Sequence, residues 1–115
     1  MDLSTKAVFD PTEALSIVDG DKELFIELVN MFRENYPAEL AAVRDAIGLG
    51  DAEALRRAAH HLKGTLSALA ANPARDAAFR LEETGRGGDL SQARNFYTEL
   101  EYHVRTLDQA LAEWV

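Results

Sequence analysis

The sequence predicts an all-α protein, an up-and-down antiparallel four-helix bundle with short accessory helices, and three observations carry that prediction. Apolar residues recur at steps of three and four along most of the chain, and no stretch shows sustained period-two alternation. Stop-and-start signals recur at intervals: Asp10-Pro11, Asp19-Gly20-Asp21, Gly50-Asp51 and Asn72-Pro73. Finally, Leu90, Ala93, Tyr97, Leu100, Val104, Leu107, Leu111 and Trp114 alternate steps of three and four without interruption, the seam of a bundle helix or a coiled coil. Short connections between successive helices favour antiparallel neighbours.

Taken in order, residues 1–9 lack periodicity and read as an N-terminal tail, leaving 10–115 as the bundle domain. Asp10 suits an N-cap, and Pro11 suits the first turn, where its missing N–H costs nothing; Ala14, Leu15 and Val18 face inward. Asp21 caps a helix over about 21–35 with Leu24, Phe25, Leu28, Met31 and Phe32 on one face. Ile26 falls roughly opposite Leu28 and is a candidate docking contact. Tyr36-Pro37 reads as a break, with a new helix from Pro37 to about 48 and Leu40, Val43 and Ile47 inward. Gly50 is a stop, and Asp51 caps a helix over about 52–71. A helix over about 74–84 buries Ala77, Ala78 and Leu81 and ends at Gly85; after Arg86-Gly87-Gly88, Asp89 caps the last helix.

Composition narrows the class. A chain of 115 residues, 47% hydrophobic, can bury one real core but not two. A net charge of −8 argues against nucleic acid, where a basic stripe is expected. There is no cysteine, hence no disulfide framework and no thiolate metal site. No apolar run approaches a membrane span and no basic-then-apolar signal opens the chain, so the expectation is a cytoplasmic protein or a cytoplasmic piece of a larger one.

The chemistry concentrates in the helix over 52–71. Leu55, Ala58, Ala59, Leu62, Leu66 and Leu69 form its buried stripe. With the stripe centred on Leu62, His60 points roughly 160° away and His61 roughly 100° away. Gly64 follows His60 by one turn, and Arg56, Arg57 and Lys63 surround it as a local basic patch in an acidic protein. A neutral imidazole is a nucleophile, and the ordinary histidine pKa near 6.5 leaves it mostly neutral at physiological pH. A glycine inside a helix costs about 0.5–1 kcal/mol relative to alanine. Its place beside His60 reads as a clearing that a side chain would crowd, and Lys63 can neutralise phosphate oxygens.

The segment Ala59-His60-His61-Leu62-Lys63-Gly64 resembles the Ala-His-x-Leu-Lys-Gly signature of histidine-containing phosphotransfer (HPt) domains of bacterial two-component phosphorelays. Phe9-Asp10-Pro11, Gly20-Asp21-Lys22-Glu23-Leu24, Phe32, Gly50-Asp51 and Leu81-Glu82 are similar to further landmarks of that family, in the same order, so the resemblance spans about 9–110. It implies that His60 is the phosphorylated histidine, His61 a variable position, Lys63 the assisting lysine and Gly64 the small residue beside the imidazole. It also implies exchange of phosphate with an aspartate of a receiver domain, in a response regulator or hybrid sensor kinase, with no cofactor here and Mg²⁺ on the receiver. The receiver would dock over His60, Arg56, Arg57, Lys63, Gly64 and Ser67, with Ile26 supplying apolar contact, and the seam of the last helix would be consumed inside a monomer. One departure is Ala70, where the family usually has glycine; its effect is expected on helix packing or the helix end.

An enzyme and a non-phosphorylated interaction bundle are the rival readings. No Walker or Gly-x-Gly-x-x-Gly pattern offers a nucleotide site. None of His60, His61 or His103 follows a Glu by three, as a bundle di-metal site requires; Glu99 and His103 read as a surface pair. The intact His60, Lys63 and Gly64 argue against the second rival.

Overall fold

The computed structural model describes residues 8–114, the Trp114 side chain excepted. Among the described residues there is no strand, and the helices are α1 (Pro11–Ile17), α2 (Lys22–Leu49), α3 (Ala52–Ala68), α4 (Asn72–Gly87) and α5 (Ala93–Trp114). Each of the four long helices packs on the next, α5 returns to α2, and α1 lies on α2. The bundle therefore closes around a single core, in which Phe25, Phe32, Leu55, Leu62, Leu66, Leu81, Leu100 and Leu107 are each no more than 2% exposed.

The starts of α1, α2 and α3 follow directly from their capping residues. Asp10 Oδ1 accepts from the Thr12 and Glu13 N–H groups at 3.0 and 3.1 Å, Asp21 from Leu24 at 3.1 Å and Asp51 from Ala54 at 3.0 Å. Gly50 adopts φ +67° and closes α2 with paired bonds, Gly50 N–H to Ile47 O and Asp51 N–H to Ala46 O. The same closure ends α3 at Ala68, sooner than the expected 71, with Ala70 in the left-handed position at φ +53°. The Ala70 departure thus lands where a glycine would be free of strain. Its carbonyl accepts the Asp10 N–H at 3.1 Å. That bond and the 1% exposure of Phe9 draw the end of the supposed tail into the core; residues 1–7 lie outside the described residues.

Three further boundary expectations are corrected. Tyr36-Pro37 does not break the chain: α2 runs through Pro37 for 28 residues. Proline forfeits one backbone bond and crowds the preceding turn, at about 3 kcal/mol. Burial continues unbroken across it, through Phe25, Val29, Phe32, Tyr36, Leu40, Val43, Ala46 and Ile47. Phe32 and Tyr36 stack at 5.0 Å, and Asp108 of α5 accepts from Arg33 Nε at 2.7 Å and the Tyr36 hydroxyl at 3.0 Å, pinning α2 beside the proline. The inward face is accordingly rotated from the expected one, leaving Leu24 and Met31 exposed and Leu28 half-buried.

Second, Gly85 does not end α4, which continues to Gly87 and is closed by Gly88 at φ +87°. Gly85 is a helix contact: a Cβ there would lie 2.7 Å from both Ala52 O and Arg56 N of α3. Third, Asp89 accepts from Ser91 N–H in a turn, and α5 begins only at Ala93. Ala93, Leu100, Val104, Leu107 and Leu111 of its seam are buried, with Leu90 and Tyr97 packed at the margin; the placement expected of the Trp114 side chain lies outside the described residues.

Because the atoms facing Gly85 are backbone, they cannot swing aside. Gly85→Ala is expected to destabilise the fold by about 1–3 kcal/mol in urea unfolding, despite alanine's better helix propensity. An unchanged or higher midpoint would contradict the close approach of α3 and α4.

Candidate functional site

Burial of Leu55, Ala59, Leu62 and Leu66 fixes the rotation of α3. His60 and Lys63, three residues apart, consequently emerge along the side of α3 that borders α4. On α4 the buried stripe is Ala74, Ala77, Ala78, Leu81, Glu82 and Gly85. Its small residues allow the close approach, and the one charged member is 2% exposed. The Glu82 carboxylate therefore meets α3 from below: Oε2 lies 2.6 Å from His60 Nδ1, and Oε1 lies 2.7 Å from Lys63 Nζ. Arg86 Nη2, one turn along α4, is 3.6 Å from Oε2.

Burial of Glu82 pushes its pKa up, but hydrogen bonds from Lys63 and His60, reinforced by their charges, outweigh that and hold it below the usual carboxylate value. It is thus a carboxylate at neutral pH, and a 2.6 Å contact with an imidazole nitrogen requires the proton on Nδ1. The tautomer so selected leaves a lone pair on Nε2, at the other side of a ring whose side chain is 63% exposed. Among the described residues no protein group bonds Nε2.

The other expected residues fall as follows. His61 turns to the opposite flank, where Nε2 lies 3.3 Å from Glu39 Oε1 of α2. Arg56 makes a two-point contact with Glu53 on its own helix, at 3.0 and 2.6 Å, which raises the Arg56 pKa and lowers that of Glu53. Arg57 is exposed, and Ser67 Oγ is spent on the Lys63 carbonyl at 2.9 Å. Gly64 is exposed and edges a groove of about 470 Å³ between α2 and α3, floored by Leu28, Met31 and Phe32. A Cβ on Gly64 would meet nothing within 4 Å, so the glycine relieves no crowding of the imidazole, contrary to the expectation from sequence. Ile26 is 40% exposed but does not line that groove.

Glu82 is the residue that sequence reasoning left without a role, although Leu81-Glu82 was noted as a landmark. The signal was a carboxylate at an inward position of an Ala/Leu stripe, since such a residue is almost never fully buried unless paired. Among the described residues no group of three or more His, Cys, Asp or Glu side chains is arranged to hold a metal, and no helix is long and apolar enough to cross a membrane.

The Hpt domain family model matches residues 27–113, and the chain belongs to that family. Its class of function is therefore phosphotransfer in a two-component relay, as a phosphoryl carrier that interacts with receiver and kinase domains rather than as an enzyme with its own substrate site. Among solved structures, the chain is similar to histidine-containing phosphotransfer protein B (HptB) from Pseudomonas aeruginosa PAO1. The TM-score is 0.85 and the identity 24%, with 92% of each chain covered. No curated protein matches.

Two outcomes follow from the site. A carboxyl whose folded pKa lies below its unfolded value contributes stability above the unfolded value and loses it as pH falls through the folded one. Unfolding of the wild type followed from neutral pH down through the ordinary carboxylate value of 4.5 and below should therefore fall more steeply than that of Glu82→Gln. Parallel curves would mean that Glu82 is not held ionised. Gly64→Ala, facing open space, should stabilise by about 0.5–1 kcal/mol in the same assay; destabilisation would reveal a packing role for the glycine.

Proposed function

We propose that His60 is the phosphoryl-accepting residue of this Hpt domain and shuttles the group between aspartates of receiver domains. The observation that carries the reading is the 2.6 Å contact of Nδ1 with buried Glu82, which presents Nε2 as the nucleophile. In the forward step the Nε2 lone pair forms a bond to phosphorus as the bond from phosphorus to the receiver's aspartyl oxygen breaks. The aspartate leaves as a carboxylate, and the Nδ1 proton stays on the ring, whose new positive charge Glu82 offsets. Return of the group to another aspartate is the same step reversed. Such transfer depends chiefly on positioning and charge neutralisation. Lys63, 2.7 Å from the same Glu82 carboxylate, supplies a cation one turn from the histidine on its own helix.

The receiver docks over Gly64 and Arg57, and the apolar groove lining of Leu28, Phe32 and exposed Met31 supplies the desolvated part of the contact. Arg56 and Ser67 border the same face; Ile26 stands outside it. The receiver contributes Mg²⁺, and the domain works as a monomer on the cytoplasmic side.

Transfer from a small-molecule-phosphorylated receiver tests this. An acid-labile label should appear on the wild type and on His61→Gln but not on His60→Gln; loss only in His61→Gln would overturn the assignment. Gly64→Leu should slow transfer by at least about tenfold, the equivalent of ~1.4 kcal/mol in the barrier, with unfolding stability retained. Unimpaired transfer would remove Gly64 from the docking face.

A further inference from the structure

We infer that Phe79 is a positioning residue for the transfer, acting through Lys63. The inference rests on the carrier role of His60 and names what holds the cation beside it. Phe79 stands on α4 one turn before Glu82 and is 47% exposed, so its ring face is open to a cation. Lys63 Nζ lies 5.2 Å from the centroid of that ring while also 2.7 Å from Glu82 Oε1. The flexible lysine stem is thereby tied at its head to two points of α4, and the ammonium is confined one turn from His60.

The choice of an aromatic anchor has a chemical consequence. A ring face attracts a cation through its quadrupole without occupying the N–H donors as a second carboxylate would. The ammonium can then exchange Glu82 for phosphoryl oxygens as the group arrives on Nε2, pivoting on the ring instead of swinging into solvent. Phe79 lies on the α4 side of His60, whereas the proposed docking groove lies on the α2 side, so Phe79 should govern the rate within the complex and leave its formation alone.

The test compares Phe79→Leu and Phe79→Tyr, each alone and combined with Lys63→Met, in transfer from a phosphorylated receiver at limiting and saturating concentrations. Phe79→Leu should lower the saturating rate about two- to fivefold with KM unchanged, the scale of an exposed cation–π contact. Phe79→Tyr should restore it, and Phe79→Leu should add nothing in the Lys63→Met background. An equal loss in both backgrounds, or a rise in KM alone, would overturn the inference. A second measurement needs no transfer: in the free protein the Lys63 protons next to the ammonium should show an upfield ring-current shift that Phe79→Tyr keeps and Phe79→Leu abolishes. Absence of that shift in the wild type also overturns it. A wild type that takes no label on His60 would instead sink the carrier reading, while the ring-current result still decides whether Phe79 holds Lys63.

Discussion

A carboxylate taken out of water costs several kcal/mol unless its charge is met where it lies. Glu82, at 2% exposure, is met by an ammonium and an imidazole N–H from the facing helix. The functional geometry depends on this one pairing. It fixes which nitrogen of His60 carries the proton, holds Lys63 within reach, and couples the chemistry to the spacing of α3 and α4. That spacing is set by Ala74, Ala77, Ala78 and above all Gly85, whose missing side chain lets the two backbones come together. A looser seam would admit water to the carboxylate, and the imidazole would lose its orienting partner.

The division of labour around α3 follows from the same arrangement. One flank faces α4 and holds the protonic and ionic groups. The other faces α2, where His61 meets Glu39 and Gly64 opens onto an apolar floor. Adjacent histidines thus face different neighbours, because a helix turns about 100° per residue. In the proposed mechanism a rigid helix carries both the nucleophile and its lysine, and the carboxylate that orients them belongs to the neighbouring helix. This suits a carrier that must present one atom to more than one partner.

Much of this was legible in the sequence, and the parts that were not share a cause. Asp10, Asp21 and Asp51 act through bonds to N–H groups two or three residues away, so their effect is local and readable. The exposure of His60 followed from the stripe through Leu62. Pro37 misled because its local cost is outweighed by burial of Tyr36 and Leu40 against distant helices, and by Asp108, 72 residues beyond Tyr36. Gly85 has the composition of a stop, and only the position of α3 reveals it as a contact. Glu82 required both facts together: an inward position on α4, and two donors on α3 arriving at the same height. Leu24 and Met31 fitted a periodic stripe as well as Val29 and Tyr36 did, and the choice between overlapping stripes was made by tertiary packing.

The central claim is that Glu82 selects the reactive nitrogen of His60. Phosphorylating the protein with ¹⁵N-labelled histidine and assigning the phosphorus–nitrogen bond by ³¹P–¹⁵N NMR tests it most directly. The account predicts phosphate on Nε2 of His60 with Nδ1 still protonated. Phosphate on Nδ1, the nitrogen that the carboxylate occupies, would contradict it.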